Sequence, residues 1–478
     1  MEPSNEKLSE KIPKTVYELI EDTFAEHKKN ETDSYATSLI KTLKKYHFWP
    51  SIQVKKFKDN DNLVLLHNTY KRDDVGRFKE IYEQCRSIVL DFSLQLNNNV
   101  VVSYANNIPV RIDINEYSQS SDDTDKYHEA YDGTMISVYN YNNKWHFGTS
   151  SCPDVNSSKF SNPKKSHGEM LDEVLLTYFR SHVSEAEIAQ GYTAEISAKL
   201  RSLFTAHLDP HLAYEFVLLH SDNTHIVDYA NIYGSGYKML FHINSKNRIN
   251  LSEMDIGTLP LAEIGLAYPR YFANLTDAHN HITNFVSYGF VVKKITPSGM
   301  KLFKISSADI EFKEDTDPCN PNIWHNLLTV YMKNRKDFQI NDYIRTYASD
   351  ITLPIDDKGR TIDPTYLIHT MISTLKDVLY NLYVTTTTYN TKTKRFKMNK
   401  ELDMQFPPVI RFHLAQLRYK QQNENQNAMI RSKDVYQYLC QCNNIKNIKL
   451  LITLFATTVG YGITERASMC FTILNGLL

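Results

Sequence analysis

Residues 129–137 read Glu-Ala-Tyr-Asp-Gly-Thr-Met-Ile-Ser, and the interpretation of the whole chain depends on this stretch. The pair Asp132-Gly133 favours a tight turn, and the β-branched and aromatic residues from Thr134 to Tyr139 predict a strand after it. A single Asp-Gly pair is a common turn and indicates no chemistry by itself. It becomes informative only together with further motifs that occur in a fixed order along the chain.

Four other stretches combine a short strand-like run with polar residues in a comparable way. In chain order they are residues 85–91 (CRSIVLD), 214–229 (YEFV, then NTHIVDY from residue 223), 288–292 (YGFVV) and 303–307 (FKISS). With residues 129–137 they make five motifs. One such motif would be uninformative, whereas five in a fixed order indicate a common origin.

The five motifs resemble, in order, the nucleotidyl-transfer motifs of ATP-dependent RNA ligases, and a helical basic region after them resembles the phage-type group of that family. The resemblance implies a nucleotidyltransferase fold, ATP and Mg²⁺ as cofactors, and RNA, tRNA-like in this group, as the partner. In the family, the lysine of a Lys-x-Asp-Gly motif attacks the α-phosphate of ATP and holds AMP as a phosphoramidate. AMP then passes to an RNA 5′-phosphate, and an RNA 3′-hydroxyl attacks to join the ends. Mg²⁺ offsets the charge on the phosphates.

The resemblance also implies a set of site residues. Position 130 is the position of the nucleophile. The residues that would shape the turn, bind the ribose or face the phosphates are Asp132, Gly133, Glu215, Arg86 and Lys304. Two neighbours complete the predicted nucleotide-binding set, namely Phe216 and Lys301.

Three positions depart from the family pattern where the chemistry takes place. Ala130 stands in the lysine position, and it cannot carry AMP because it has no nucleophile. Tyr288 stands where the family has a glutamate, and Ser306 replaces the second lysine of the fifth motif. Lys301 could supply charge from nearby, although the strand register argues against a direct exchange. His128 lies two residues before position 130, roughly 7 Å along an extended chain, which is too far to replace the lysine.

Three explanations of these departures stay open. Ala130 is an engineered substitution for a natural lysine, or the protein is a natural pseudo-enzyme, or the registers of the fourth and fifth motifs are misassigned. Losses at three positions favour divergence over engineering. The predicted function is that of an RNA ligase-like protein, of the kind used in RNA repair, that cannot adenylylate itself as written. The alternative is a catalytically inactive pseudo-ligase that acts as an RNA-binding or structural protein, and a capping-type guanylyltransferase is a weaker third class.

The pattern of apolar residues predicts an α+β fold in three parts. Residues 1–60 are predicted to form a helical N-terminal extension, and residues 61–315 an RNA-ligase-like nucleotidyltransferase domain of mainly antiparallel sheets. An acidic stretch with Pro and Asn around residues 311–321 is typical of a linker. Residues 320–478 are predicted to form an all-helical domain.

Charge is distributed unevenly along the chain. With 54 Lys and Arg against 55 Asp and Glu the net charge is −1, which excludes a uniformly basic nucleic-acid coat. From residue 320 onward there are 20 Lys and Arg and 12 Asp and Glu, a net of +8, which leaves −9 for the remainder. The candidates for contacts with RNA phosphates are Lys392, Lys394, Arg395, Lys397, Arg411 and Arg418. A solvated helix face is an equally weighted interpretation of this basic segment.

Other classes lack support in the sequence. The chain has no Gly-rich P-loop, no Gly-x-Gly-x-x-Gly and no Gly-x-Ser-x-Gly elbow. Six scattered cysteines are typical of a cytoplasmic protein, and the resemblance to the phage-type group implies a viral protein in the host cytoplasm. No signal peptide is visible, and the apolar stretch at residues 450–460 is too short to span a membrane. The sequence identifies neither metal ligands nor an oligomeric state.

Overall fold

The computed structural model describes residues 13, 15–49, 51–69, 79–94, 99–159, 165–189, 193–254, 260–296, 299–316, 323–333, 344, 355, 359–390, 395–423, 429–440, 445–457 and 471–472. The chain divides into two compact units, Met1–Ile310 and Glu311–Leu478. Within the described segments, no helix is both long enough and apolar enough to cross a membrane.

The N-terminal part packs three helices on a four-stranded antiparallel sheet, called sheet A. The helices are α1 (Val16–His27), α2 (Tyr35–Lys45) and α3 (Lys79–Gln84). The strands, in sheet order, are β1 (Ile52–Lys56), β2 (Leu63–Asn68), β3 (Ile88–Asp91) and β4 (Val101–Tyr104). The side chains of Thr15 and Ser34 accept backbone N–H bonds at the starts of α1 and α2, which is why these helices begin there. The segment 1–60, predicted to be helical, thus contains α1, α2 and also β1.

The central sheet, sheet B, has four antiparallel strands and carries the first and third motifs. Its sheet order is β10 (Lys238–Asn247), β9 (Leu212–His220), β7 (Thr134–Tyr141) and β8 (Lys144–Thr149). Strands β7 and β8 form a hairpin, and β7 contains the strand that the sequence predicts at residues 134–139. The turn residues Asn142 and Asn143 have φ angles of 51° and 59°, a left-handed conformation that asparagine tolerates better than most residues.

One face of sheet B is covered by helices. These are α5 (His167–Tyr178), α6 (Glu185–Ala189) and α7 (Ala194–Thr205), with short 3-10 turns at Val155–Ser157, Arg180–His182 and Pro260–Ile264. A capping box between Ser166 and Glu169 starts α5, and the two side chains satisfy each other's backbone N–H groups. Alternate residues of β9, including Phe216, pack against these helices, so the following and preceding residues of the strand face the other side.

The third sheet, sheet C, has five strands and carries the fourth and fifth motifs. Its order is β11 (Tyr271–Phe272), β6 (Lys126–Glu129), β12 (Phe290–Thr296), β13 (Gly299–Ile305) and β5 (Val110–Arg111). All pairs are antiparallel except β13 with β5. The remaining helices of this part of the chain are α4 (Ile114–Ser118), α8 (Ala230–Tyr233), α9 (Leu275–Asn284) and α10 (Ala308–Thr316). Phe290 and Val292 of β12 pack against α4 and α9, so Val291 and Lys293 face the opposite side.

The C-terminal unit is mainly helical. Its helices are α11 (Ile323–Lys333), α12 (Pro364–Thr386), α13 (Lys400–Met404), α14 (Pro408–Asn423), α15 (Ser432–Leu439) and α16 (Ile445–Thr457). A two-stranded antiparallel sheet follows α12, formed by β14 (Thr387–Asn390) and β15 (Arg395–Met398). The α+β prediction with mainly antiparallel sheets is confirmed. The prediction of an all-helical C-terminal domain holds for the helices only, because a run of threonines at the end of α12 favours extended backbone and starts β14.

Candidate functional site

The loop from Ala130 to Gly133, called the 130–133 loop, connects sheet C to sheet B. Strand β6 ends at Glu129, and β7 begins just after the loop. The Ala130 backbone N–H donates to the Gly289 carbonyl oxygen at 2.9 Å, next to the start of β12. Position 130 therefore lies where the fourth motif meets the first. Its side chain is only a methyl group.

Gly133 is required by the close approach of its backbone to β9. A Cβ atom at this position would lie 2.5 Å from Val217 Cγ1 and 2.7 Å from the Leu218 carbonyl oxygen. Any larger residue would force the loop away from the strand. The glycine of the first motif thus has a packing reason that is independent of any reaction.

Asp132 ties the 130–133 loop to the third motif. Its Oδ2 accepts the backbone N–H of Ile226 and, at 3.3 Å, that of Val227. Its own backbone N–H donates to the hydroxyl of Tyr229 at 2.7 Å. Burial raises the pKa of the Asp132 carboxyl, while the N–H groups and the positive charge of Lys304 act in the opposite direction. The side chain therefore holds two motifs together.

Arg86 and Glu215, which come from distant parts of the sequence, form an ion pair. Arg86 Nη1 lies 3.2 Å from Glu215 Oε1, and the Glu215 side chain is buried. Glu215 Oε2 also accepts the backbone N–H of Asn106 at 3.4 Å. The structure thus brings two of the predicted nucleotide-binding residues into contact. Phe216 lies on the other face of β9, where it is fully buried and its ring lies 5.5 Å from that of Phe204.

The fourth and fifth motifs meet through Lys304 and Tyr288. The ammonium of the buried Lys304 lies 3.2 Å from the centre of the Tyr288 ring, which is a cation–π contact. The Ser306 hydroxyl donates to the Tyr288 carbonyl oxygen at 2.9 Å, so it supports the strand ends and does not supply charge. Lys301 is exposed, opposite Lys294, on the other face of β13 from Lys304.

Gly289, between these groups, has a backbone that only glycine adopts readily. Its φ is +126°, and a Cβ atom there would lie 2.4 Å from the Ile305 carbonyl oxygen. This close contact holds the start of β12 against the end of β13. Tyr288 is therefore held in place from both sides.

An aromatic contact closes the side of the site next to position 130. The ring of Tyr131 stacks on that of Phe241 from β10, with centroids 3.9 Å apart and 24° between the planes. The Tyr131 hydroxyl donates to Glu129 Oε2 at 3.0 Å. Burial raises the pKa of Tyr131, and the negative charge of Glu129 acts in the same direction. Tyr131 and Tyr288 both pack on the apolar cluster that includes Leu219.

Sequence reasoning missed a second group of charged residues in this region. Lys246 of β10 is buried, with its ammonium 4.1 Å from the centre of the Tyr104 ring and 3.5 Å from the Ala105 carbonyl oxygen. Burial lowers the pKa of Lys246 to about 8, although Glu215 and Glu253 favour its charged form. No local pattern marked this lysine as buried, because its neighbours Asn244, Ser245 and Asn247 are polar.

Two further buried polar groups extend this second set. Lys293 of β12 forms an ion pair with Glu253. Among the described residues, Oδ1 of the buried Asn106 has no hydrogen-bond partner. Burial lowers the pKa of His128 to about 3, and the positive charge of Lys293 adds to the effect. His128 is thus a buried neutral side chain near position 130.

The predicted RNA-binding residues lie in the C-terminal unit. Lys392 and Lys394 fall outside the described residues. Arg395 begins β15, and Lys397 of the same strand is exposed. The hairpin also presents Tyr389, whose ring lies 4.9 Å from that of Phe396.

The two arginines predicted on α14 differ in their surroundings. Arg411 is half-buried and donates to Met404 Sδ at 3.2 Å. Arg418 Nη1 lies 2.7 Å from Asp403 Oδ1, and its Nη2 donates to Thr386 Oγ1 at 2.8 Å. Arg418 therefore links α14 to α13 and to the end of α12.

Carboxylates of the site are engaged by protein groups. Asp132 accepts backbone N–H bonds, Glu215 pairs with Arg86, and Glu253 pairs with a lysine. Mg²⁺ is bound by oxygen ligands, chiefly carboxylates and substrate phosphates. The described residues of this region do not fit a magnesium ion held by protein carboxylates, and we assign no ligands to one.

A separate group of metal-type ligands lies on the other side of sheet B. Atoms of Glu173, His220 and Asp222 lie within 4.8 Å of one another. Two lysines already occupy the carboxylates: Lys165 pairs with both Glu173 and Asp222, at 2.6 and 2.5 Å, and Lys238 pairs with Glu173 at 2.8 Å. We interpret this group as a buried ion-pair network.

Comparisons with known proteins gave matches among solved structures only. No protein-family model and no curated protein sequence match the chain. A structure described as an ATP-dependent DNA ligase from Aquifex aeolicus is 11% identical, covers 66% of this chain and 72% of its own, and has a TM-score of 0.37. Two structures of an archaeal ATP-dependent RNA ligase, forms 1 and 2, are each 13% identical. They cover 69% and 70% of this chain and 78% and 79% of their own, with TM-scores of 0.35 and 0.33. At these values the likeness supports no conclusion about function.

Proposed function

We propose that the protein is an RNA ligase-like nucleotidyltransferase that has lost self-adenylylation and acts by binding RNA. The observation that carries the proposal is the contact between Lys304 and Tyr288, with the lysine ammonium 3.2 Å from the ring centre. An aromatic ring covers the lysine at the position where the resemblance calls for a carboxylate. The charge of Lys304 is therefore engaged by a protein side chain, Tyr288.

The other two altered positions support the same conclusion. Ala130 has no lone pair with which to attack the α-phosphate of ATP, so no phosphoramidate can form at this position. Ser306 uses its hydroxyl to bind the Tyr288 carbonyl oxygen and brings no positive charge. Three positions that act together in the family's first step are thus all changed. A single engineered substitution does not account for the other two.

Binding of RNA is supported by the charge and the exposed rings of the C-terminal unit. The part of the chain from residue 320 has a net charge of +8. Exposed Tyr389 lies in the same hairpin as exposed Lys397, and exposed Tyr419 lies on α14 between Arg418 and Lys420. Basic side chains attract phosphates and aromatic rings stack on bases, which is the combination that single-stranded RNA requires.

Active ligation is the second candidate, and it is favoured by one set of observations. The turn at Asp132 and Gly133 and the ion pair between Arg86 and Glu215 are intact. If the natural residue at position 130 is lysine, its amine would form the P–N bond to AMP, with pyrophosphate as the leaving group. ATP would then be the cosubstrate.

An RNA-joining assay separates the two candidates. The protein is incubated with a labelled 5′-phosphorylated RNA, ATP and Mg²⁺, while binding is followed by fluorescence anisotropy. We expect RNA binding without joined or adenylylated RNA. A joined product from the unmodified chain would overturn the loss of activity, and the absence of RNA binding would overturn the RNA-binding function. The triple variant Ala130→Lys, Tyr288→Glu, Ser306→Lys tests whether the altered positions alone account for the loss.

A further inference from the structure

A pocket outside the five motifs lies between β11 and α9. Its volume is about 330 Å³, which is within the range of small-molecule pockets. Its lining includes Arg270, Tyr271, Phe272, Asn280, His281 and Phe285. No part of the ligase resemblance uses these residues.

Aromatic side chains line much of the pocket, and two of these side chains are exposed. Tyr271 is 53% exposed and Phe285 is 64% exposed. The ring of His281 stacks on that of Phe285, with centroids 5.2 Å apart and 27° between the planes, and lies 5.2 Å from Phe272. Two large aromatic side chains left in water at the rim of one pocket indicate a surface that a partner covers.

Polar groups at the rim suit a nucleobase better than a phosphate. The Arg270 guanidinium lies 5.7 Å from the centre of the Phe272 ring and adds a second planar surface. Within the described part of the chain, the exposed Asn280 amide makes no hydrogen bond and can read a base edge. Asp277 also lines the pocket, and its negative charge opposes a phosphate. Unpaired RNA bases are held by this combination of stacking and polar contacts with their edges.

The pocket is connected to position 130 through hydrogen bonds. The His281 ring donates to Glu129 Oε1 at 3.2 Å, and the other oxygen of Glu129 accepts from the Tyr131 hydroxyl. Glu129 also donates its backbone N–H to the Arg270 carbonyl oxygen at 2.8 Å. Both residues that flank Ala130 are therefore in this network, which links the pocket to position 130.

We propose that this pocket binds an unpaired base of single-stranded RNA, stacked on Phe285 and Tyr271, with Asn280 and Arg270 contacting its edge and face. The assignment deepens the proposed function, on which it rests, because it identifies where the RNA is held near position 130. It does not require any reaction to occur there.

Fluorescence anisotropy with a short labelled single-stranded RNA tests the assignment. Because removing the ring also removes the stacking of the base, Phe285→Ala should weaken binding roughly 5-fold or more, and Tyr271→Ala similarly. Phe285→Trp should retain binding. Tyr17→Ala removes an exposed ring from α1 and should leave the affinity unchanged.

Abasic RNAs show whether the ring contacts a base directly. One abasic position should weaken binding to the unmodified protein and have no further effect on Phe285→Ala. If the unmodified protein binds RNA and Phe285→Ala binds it equally well, the pocket assignment is overturned while the proposed function stands. If the unmodified protein does not bind RNA at all, the proposed function fails first. A change of sedimentation with Phe285→Ala would instead identify the rim as an interface between copies of this chain and would overturn the assignment.

Discussion

Tyr288 and Lys304 show how a residue at the end of one strand determines the surroundings of a lysine on the next strand. A buried ammonium needs a partner, and here an aromatic ring supplies it by a cation–π contact. The ring stabilises the buried ammonium, and the carboxylate of Asp132 also attracts it. The two residues are therefore expected to be coupled energetically.

A double-mutant cycle measures this coupling. Lys304→Met and Tyr288→Leu are made separately and together, and the free energy of unfolding is measured in urea. We expect a coupling energy of roughly 0.5–2 kcal/mol, the usual range for a cation–π pair. Additive effects of the two changes would show that the ring does not hold the charge.

Lys246 gives a prediction on pH. Its ordinary pKa is 10.5 and burial lowers it to about 8 in the folded protein. Between these values the unfolded chain binds more protons than the folded one, so stability rises with pH over this window. Lys246→Met should remove this dependence of stability on pH. Below pH 8 the substitution also removes the cost of burying the charged ammonium, roughly 3 kcal/mol. The gain is partly offset because the variant lacks the contact between the ammonium and the Tyr104 ring.

The measurement is the difference in unfolding free energy between the unmodified protein and Lys246→Met from pH 7 to pH 10.5. The gain from the substitution should shrink as the pH rises. The matched control Lys58→Met changes an exposed lysine and should give a constant difference. If the difference in unfolding free energy for Lys246→Met is also independent of pH, burial does not lower the pKa of Lys246.

At the scale of elements, the join between β12 and β13 depends on Gly289. Both its positive φ and the contact of a Cβ atom with the Ile305 carbonyl oxygen exclude other residues. Gly234 also has a positive φ but has open space around it. A comparison of alanine substitutions at the two glycines therefore distinguishes the cost of backbone strain from the cost of a steric clash.

We expect Gly289→Ala to lower the free energy of unfolding more than Gly234→Ala does. The latter should cost about 1 kcal/mol from strain alone, and the former should add the cost of displacing β13. Chemical denaturation of both variants checks this. If both variants lose the same free energy of unfolding, β12 and β13 can move apart at this point without cost. Tyr288 would then not be fixed by the contact at Gly289.

Elements and motif order could be predicted from the sequence, whereas contacts between side chains of different strands could not. The β7–β8 hairpin and the helices α5 and α7 follow from alternation, turn residues and caps. The contact of Tyr288 with Lys304 depends on how two strands of sheet C meet, which no local pattern records. Glu215 and Phe216 illustrate a further limit on predicting site residues from a motif. They are neighbours in the third motif, but they lie on opposite faces of β9, and only Glu215 contacts Arg86.

At the scale of the whole molecule, the near-zero net charge is the sum of an acidic and a basic part. The net positive charge of the basic part attracts phosphates over a distance, and salt weakens such attraction. RNA affinity should therefore depend on the lysines and arginines beyond residue 320, of which the basic segment at residues 392–397 is the densest group.

Replacing Lys392, Lys394, Arg395 and Lys397 by glutamine should weaken RNA binding and flatten its salt dependence. For single strands, the slope of log K against log salt should become shallower by about 0.7 for each phosphate that the protein no longer neutralises. Anisotropy titrations at several salt concentrations check this. The control replaces four exposed lysines of the acidic part by glutamine, namely Lys44, Lys45, Lys56 and Lys58. If neither variant changes the slope, the basic segment is a solvated surface that does not contact RNA phosphates.

We propose that the chain keeps an RNA ligase-like site and has lost the covalent step. Intact mass spectrometry after incubation with ATP and Mg²⁺ tests it most directly. We predict no AMP adduct on the unmodified protein, since position 130 offers only a methyl group and Lys304 is held against Tyr288. An adduct of AMP on any lysine of the unmodified chain would contradict the account, and the modified residue would identify the nucleophile in use.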